Sequence, residues 1–350
     1  MKFIDRLSRH LKRHPKRIVF PEGDDPRILR AAHTFARLKL GIPILIGNRE
    51  QIEKEAAISD ITLSGIRLLQ PDRSDEIENF TQKLRTAPPY QKLTNDEARR
   101  YILDPHYFAT LLLASSGADA LVTGSCAPPS TTLRPIRDLI PLQSEVKTLS
   151  SMLVLDTPNH HIGNKGVLFL ADCGVVSDPT IEQLADIAVT VGVLCHHLTD
   201  VTARVALLGY TTQTSQMGCP LVSKVKAATR LAKERATLLE TPIDIEGELQ
   251  VDAALHPRIA AQKNTVGPVA GKANVLIFPN IASGNIASKM LPLVSNDIYS
   301  YGRILTGLSK PAAELNRGAA PQDIFGAAVI VGCQAVDHRF LFGPSIVDAL

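Results

Sequence analysis

Near the C-terminus, the segment 315–324 places a guanidinium, Arg317, six residues before a carboxylate, Asp323. A guanidinium offers a planar fork of donors that matches phosphoryl oxygens, and a carboxylate can take a proton from a nucleophile. Together they suit transfer of a group to or from phosphate. A second guanidinium, Arg134, follows the hydroxyls of Ser130, Thr131 and Thr132. The stretch 210–218 follows an apolar run and precedes a helical pattern beginning at Val222. Its Tyr210, Thr211, Thr212 and Ser215 can therefore converge at a helix N-terminus as a phosphate cradle. Each segment also has a plainer reading: a solvated helix end for Arg317 and Asp323, and a hydroxyl-rich strand-to-helix turn for 210–218.

These residues need elements to hold them. A chain of 350 residues exceeds the roughly 250 to 300 at which one core stops growing, so two lobes with a working cleft between them are expected. Short apolar runs at 17–20, 42–46, 120–122, 166–170, 204–208 and 274–278 alternate with helical patterns at 26–36, 180–194 and 222–238. That alternation is the signature of an α/β protein with a mostly parallel sheet. Asp178, Pro179 and Glu182 supply a cap, an N-terminal proline and an acidic first turn for the second of these helices. Lobe boundaries fall where polar and turn residues interrupt the pattern, at 144–165 and 292–300.

With 45% hydrophobic and 21% charged residues and no apolar run near the roughly 18 needed to span a bilayer, the chain is expected to be soluble and cytoplasmic. The basic N-terminus carries Phe3, Ile4, Leu7 and Leu11 at helical spacing, which predicts a surface helix rather than an export signal. A net charge of +3 without an aromatic-studded basic patch argues against a nucleic-acid or membrane partner. The cysteines at 126, 173, 195, 219 and 333 are odd in number and scattered, so neither a disulfide framework nor a zinc site is expected. The paired histidines 160–161 and 196–197 lack the i, i+4 spacing of a shared ligand face, and no metal is expected. No Gly-x-Gly-x-x-Gly follows a strand. The segment 267–273 departs from a P-loop in having three residues between its glycines and alanine after Lys272.

Several blocks occur in an order that resembles the phosphate acetyltransferase and phosphate butyryltransferase family. They include 17–23 with Asp25 and Arg27, 104–108, 117–124, 172–175 with 179–185, 246–254, 269–279 with 284–286, and the Arg317 segment. The resemblance covers nearly the whole chain. It implies two α/β/α lobes of the isocitrate/isopropylmalate dehydrogenase type, with residues 1–143 and 296–350 in the first and 144–295 in the second. The second lobe would carry a homodimer interface. The implied activity is acyl transfer between coenzyme A and phosphate, without metal or a permanently bound cofactor; coenzyme A is a substrate and acetate kinase the pathway partner.

By the same resemblance Asp323 is the base for the coenzyme A thiol, Arg317 and Arg134 hold the acyl phosphate, and Arg85 and Asn285 contact substrate. A free aspartate near 3.9 and a thiol near 8.5 leave the proton transfer uphill by roughly 6 kcal/mol, a gap the site must close. Burial of the acid, arginines that favour thiolate, or transfer concerted with attack would each close it. Two departures from the family pattern stand out. Asn316 replaces a serine, and Ala127, Pro128 and Pro129 interrupt a hydroxyl-rich run, removing donors from an expected contact. They motivate one alternative, a homologue that binds coenzyme A or acyl phosphate without efficient turnover; a transferase for propionyl or butyryl groups is another, because the sequence does not show the depth of the acyl pocket. A metal-dependent dehydrogenase is a third, but the sequence lacks both its carboxylate cluster and its dinucleotide fingerprint.

Overall fold

The computed structural model describes residues 2–144, 146–213, 219–295 and 297–336, so Ser215 of the expected cradle lies outside the described residues. In chain order the strands are β1 Lys16–Phe20, β2 Gly41–Ile46, β3 Arg67–Leu69, β4 Ala120–Thr123, β5 Ser150–Asp156, β6 Val167–Ala171, β7 Ala203–Leu208, β8 Ile243–Leu249, β9 Val275–Ile277, β10 Tyr299–Thr306 and β11 Ala312–Glu314. The described residues divide into two compact units, one formed by 2–141 with 308–336 and the other by 142–307.

The first unit has strand order β3-β2-β1-β4-β11, and all four pairings are parallel. Parallel strands need crossover connections, which the amphipathic helices between them supply. Helix Pro26–Arg37 buries Ile28, Leu29, Ala31, Ala32 and Phe35 and starts at Asp25, whose side chain accepts the Arg27 amide. Helix Lys2–Leu11 buries Phe3, Ile4, Leu7 and Leu11, as their spacing predicts. Helix Pro321–Gln334 is buried at every residue from Ile324 to Gln334. Such an all-round apolar helix belongs in an interior.

The second unit has order β10-β5-β6-β9-β7-β8. Here β10 with β5 and β5 with β6 run antiparallel, while the rest are parallel. One expectation is corrected. Residues 297–307, placed by sequence with the first lobe, belong to the second unit, because β10 pairs with β5 and extends its sheet. The second unit begins at 142, close to the start expected at 144, and the polar stretch 144–165 contains its strand β5, every residue of which is buried. Helix Ile181–Thr199 starts two residues later than Asp178 suggested: Thr180 and Gln183 form a reciprocal capping box, and Asp200 ends the helix in the left-handed conformation. Helix Ile281–Val294 leaves Ile286, Met290, Leu293 and Val294 exposed at three- and four-residue spacing, a solvent-facing apolar stripe.

Candidate active site

In the first unit, strands β4 and β11 lie side by side in parallel, so the loops after them leave the sheet at the same edge. The loop after β11 carries Arg317, and the loop after β4 leads into the helix that carries Arg134. The ends of strands in open α/β sheets, where helix N-termini gather, are the usual ligand positions.

The loop after β4 is shaped by one acid. Buried Glu22 accepts the amides of Gly124, Ser125, Cys126 and Ala127 at 2.8–2.9 Å, and the Ser125 hydroxyl at 2.8 Å. Gly124 sits at φ +94°, and a Cβ there would lie 3.1 Å from the Leu315 backbone, so only glycine allows the turn. These amides face an internal carboxylate and are not available to a ligand. Replacing Glu22 with alanine should leave four backbone donors without acceptors and cost about 3 kcal/mol or more. Urea unfolding checks this, and a loss below about 0.5 kcal/mol would contradict it.

Helix Pro129–Leu139 follows, with Pro128 at the N-cap. Proline is well suited to the first helical position, whose N–H has no partner within the helix. Ser130 is exposed and Thr131 half-buried, whereas Thr132 is buried with its hydroxyl 3.5 Å from the Pro128 and Pro129 carbonyls. Thr132 therefore faces the protein. Arg134 is exposed one turn on, its Nε 3.7 Å from Asp138 Oδ2. That oxygen also accepts the Tyr90 hydroxyl at 2.8 Å, and Tyr90 is in turn 3.0 Å from the Tyr107 hydroxyl. Burial, then the bonds to Tyr107 and Asp138, push the Tyr90 pKa up, so it stays a neutral donor. This network places the Asp138 carboxylate beside Arg134, whose side chain is more than half exposed.

After β11 the chain turns through Asn316 to Ala319, whose amide donates to the Asn316 carbonyl at 2.9 Å, and enters helix Pro321–Gln334. Arg317 is exposed; Asn316 and Asp323 are half-buried. Asp323 lies in the first helical turn and its Oδ2 accepts the Ala320 amide at 3.0 Å. The candidate base is thus held by the helix it caps.

Arg27 ties these loops together. Its Nε and Nη2 lie on the Asp25 carboxylate at 2.6–3.2 Å, and Nη2 also reaches the Ser125 carbonyl at 2.8 Å. Nη1 donates to the Arg317 carbonyl at 2.6 Å and to that of Ala319 at 3.3 Å. Burial works against the Asp25 charge most strongly, but bonds from Arg27 and Cys126 outweigh it and hold the acid below the ordinary carboxylate range. With a depressed folded pKa, the stabilisation from this acid is complete above its unfolded value and fades only as pH falls through the lower folded value.

The remaining sequence candidates sit elsewhere. Arg85 gives Nε to the Leu93 carbonyl at 2.9 Å and Nη1 to Asn95 at 2.6 Å, tying a helix end to the next turn. In the second unit, Thr211 bonds Glu248 and Thr212 bonds Gln250, each at 3.2 Å. Asn285 donates to the Cys173 carbonyl at 3.1 Å. That carbonyl belongs to a loop whose amides at 174–176 and Ser151 hydroxyl converge on buried Asp172. The Tyr210 hydroxyl lies 2.6 Å from Cys219 Sγ.

That contact, then the Val222 amide at the helix start, lowers the Cys219 pKa. Burial, then the bond to Asp25, raises that of Cys126. Since the thiolate is the nucleophile, iodoacetamide should label Cys219 before the more exposed Cys126, and buried Cys173, Cys195 and Cys333 last. Peptide mass spectrometry reads the order directly, and labelling of Cys126 first would refute it.

Sequence reasoning quoted Arg27 as part of a block but assigned it no role, and did not anticipate Glu22 as a cradle or Asp138 and Tyr90 as supports. Their partners lie far away in sequence. Among the described residues, no group of three or more His, Cys, Asp and Glu is placed to hold a metal, and no helix is long and apolar enough to cross a membrane.

An open parallel sheet with one arginine in the turn after a strand and another in the helix after the neighbouring strand suits the binding of phosphoryl groups, and similar known proteins include phosphate acetyltransferases. The profile of the phosphate acetyl/butaryl transferase family matches residues 2–332, and the chain belongs to that family. A phosphate acetyltransferase from Acetivibrio thermocellus is 36% identical over 335 residues, covering 96% of this chain and 98% of the relative. A phosphotransacetylase from Streptococcus pyogenes superposes with a TM-score of 0.83 at 29% identity, over 96% of this chain and 98% of that one. A Salmonella typhimurium protein described as a 4-hydroxythreonine-4-phosphate dehydrogenase shares the fold at a TM-score of 0.51 and 13% identity, covering 92% and 99%. The dehydrogenase-like α/β fold expected from sequence is therefore present.

Proposed function

We propose that this protein is a phosphate acetyltransferase, converting acetyl-CoA and phosphate to acetyl phosphate and coenzyme A and back. The observation that carries the reading is the Arg317 loop and Asp323, joined through Arg27 to the loop before Arg134, in a chain of this family. In the direction of acetyl-CoA formation, Arg134 and Arg317 hold the phosphoryl oxygens of acetyl phosphate. Asp323 takes the thiol proton as sulfur bonds to the acyl carbon. The carbon–oxygen bond to phosphate breaks, and phosphate leaves with its charge against the arginines. The route is direct and passes through no acyl-enzyme.

Coenzyme A enters as a substrate, and the setting is a cytoplasmic homodimer with acetate kinase as pathway partner. The exposed stripe of Ile286, Met290, Leu293 and Val294 supports an interface on the second unit, because a contiguous apolar face is usually covered in the assembled state.

Acyl-CoA formation from acetyl, propionyl and butyryl phosphate, followed by absorbance of the new thioester, tests the reaction and ranks the acyl groups. Turnover fastest with acetyl phosphate is expected. No turnover with any of the three would overturn the reading in favour of ligand binding alone.

A further inference from the structure

Arg27 bonds to groups on three separate segments of the chain. Its carboxylate anchor, Asp25, starts helix Pro26–Arg37. Its other contacts are the backbone carbonyls of Ser125 after β4 and of Arg317 and Ala319 after β11, with a longer one to Cys126 Sγ at 3.9 Å. A guanidinium so engaged has little left to offer a ligand. The two carbonyls it takes after β11 bracket the turn that presents the Arg317 side chain and leads into the helix of Asp323. The shortest of these contacts, 2.6 Å, is to the peptide of Arg317 itself. The turn has one internal backbone bond, from Ala319 to Asn316, and Gly318 at its centre has no heavy atom within 4 Å of where a Cβ would stand. Its conformation thus depends on an outside partner.

We propose that Arg27 is the positioning residue that fixes the Arg317 turn, acting through the Arg317 and Ala319 carbonyls rather than on substrate. This deepens the function proposed above and rests on Arg317 serving the phosphoryl group. Lysine cannot replace it, because one ammonium on a flexible stem cannot span a carboxylate and carbonyls on two other loops.

The test uses Arg27→Lys in the full-length protein, alone and combined with Arg317→Ala, read by steady-state kinetics and by hydrogen exchange of the amides at 315–320. Alone, the substitution should lower kcat by about a hundredfold, the scale of a misplaced catalytic group, with a smaller change in KM. In the Arg317→Ala background its further effect should shrink to about twofold or less, because a residue acting through another is not additive with it. Exchange should quicken at 315–320 and not along β1. An undiminished effect in the double variant, or unchanged exchange in the turn, would overturn the proposal. Wild-type protein without turnover would end the functional reading, and exchange alone would then decide this one. Should Arg27→Lys fail to fold, Asp25→Asn serves instead: it keeps an N-cap oxygen but removes the charge that anchors the guanidinium, and should produce the same pattern more weakly.

Discussion

Asp323→Asn is expected to lower the rate of acyl-CoA formation by about 10²- to 10⁴-fold, the range that a positioned general base contributes. The substitution is unusually clean here. The Asp323 carboxylate, the proposed base, also accepts the Ala320 amide. Asparagine keeps an oxygen for that amide, so the helix start is preserved while the ability to take a proton is lost. The melting temperature should therefore stay close to that of the wild type, and KM for acetyl phosphate should change far less than kcat. Asp323→Ala removes both functions and should add a loss of stability. A variant Asp323→Asn that keeps kcat within a fewfold of wild type would show that the thiol proton goes elsewhere, to solvent or another group.

Arg317→Ala is expected to reduce kcat/KM for acetyl phosphate by about 10²- to 10³-fold, the typical cost of removing one well-aimed donor from a developing anion. Its backbone is held by Arg27, independently of its own exposed side chain. Deleting that side chain should leave the turn in place, so hydrogen exchange at 315–320 should match wild type even as activity falls. Arg317→Lys should recover part of the loss, because a point charge can meet one phosphoryl oxygen though not two. Equal kinetics for wild type and Arg317→Ala would remove this residue from the site and pass the phosphoryl contact to Arg134.

What sequence could and could not show is visible in particular elements. Strands β1, β2, β4, β6, β7 and β9 are short apolar runs next to strongly periodic helices, and each lies within two residues of its expected place. Strand β5 was hidden by its own hydroxyls. Ser150 bonds Thr306 at 2.7 Å and Ser151 bonds Asp172, so residues that read as a polar boundary are satisfied inside the core. The return of β10 to β5 is a pairing between residues about 150 positions apart, and a local pattern carries no trace of it. At the site, the types and spacing of Arg317 and Asp323 drew attention to that segment, but the roles of Arg317, Asp323 and Arg134 come from the resemblance to the family, since a guanidinium and a carboxylate six apart also fit a solvated helix end. Glu22 was not legible as a cradle because its amide partners lie more than a hundred residues downstream. Thr132 was grouped with Ser130 and Thr131 as a candidate contact because the helical phase that turns it inward is set by a helix start that the local pattern does not mark.

The cradle of Glu22 also bears on the two adjacent prolines that looked like damage. The path of the loop after β4 is dictated by a carboxylate that grips it from the opposite side, through peptide groups common to every residue except proline. Both prolines come just after the last gripped amide, Ala127. The grip is therefore complete before the first proline, and the two rings, which have no N–H to give, start the helix that carries Arg134 without taking any bond from Glu22.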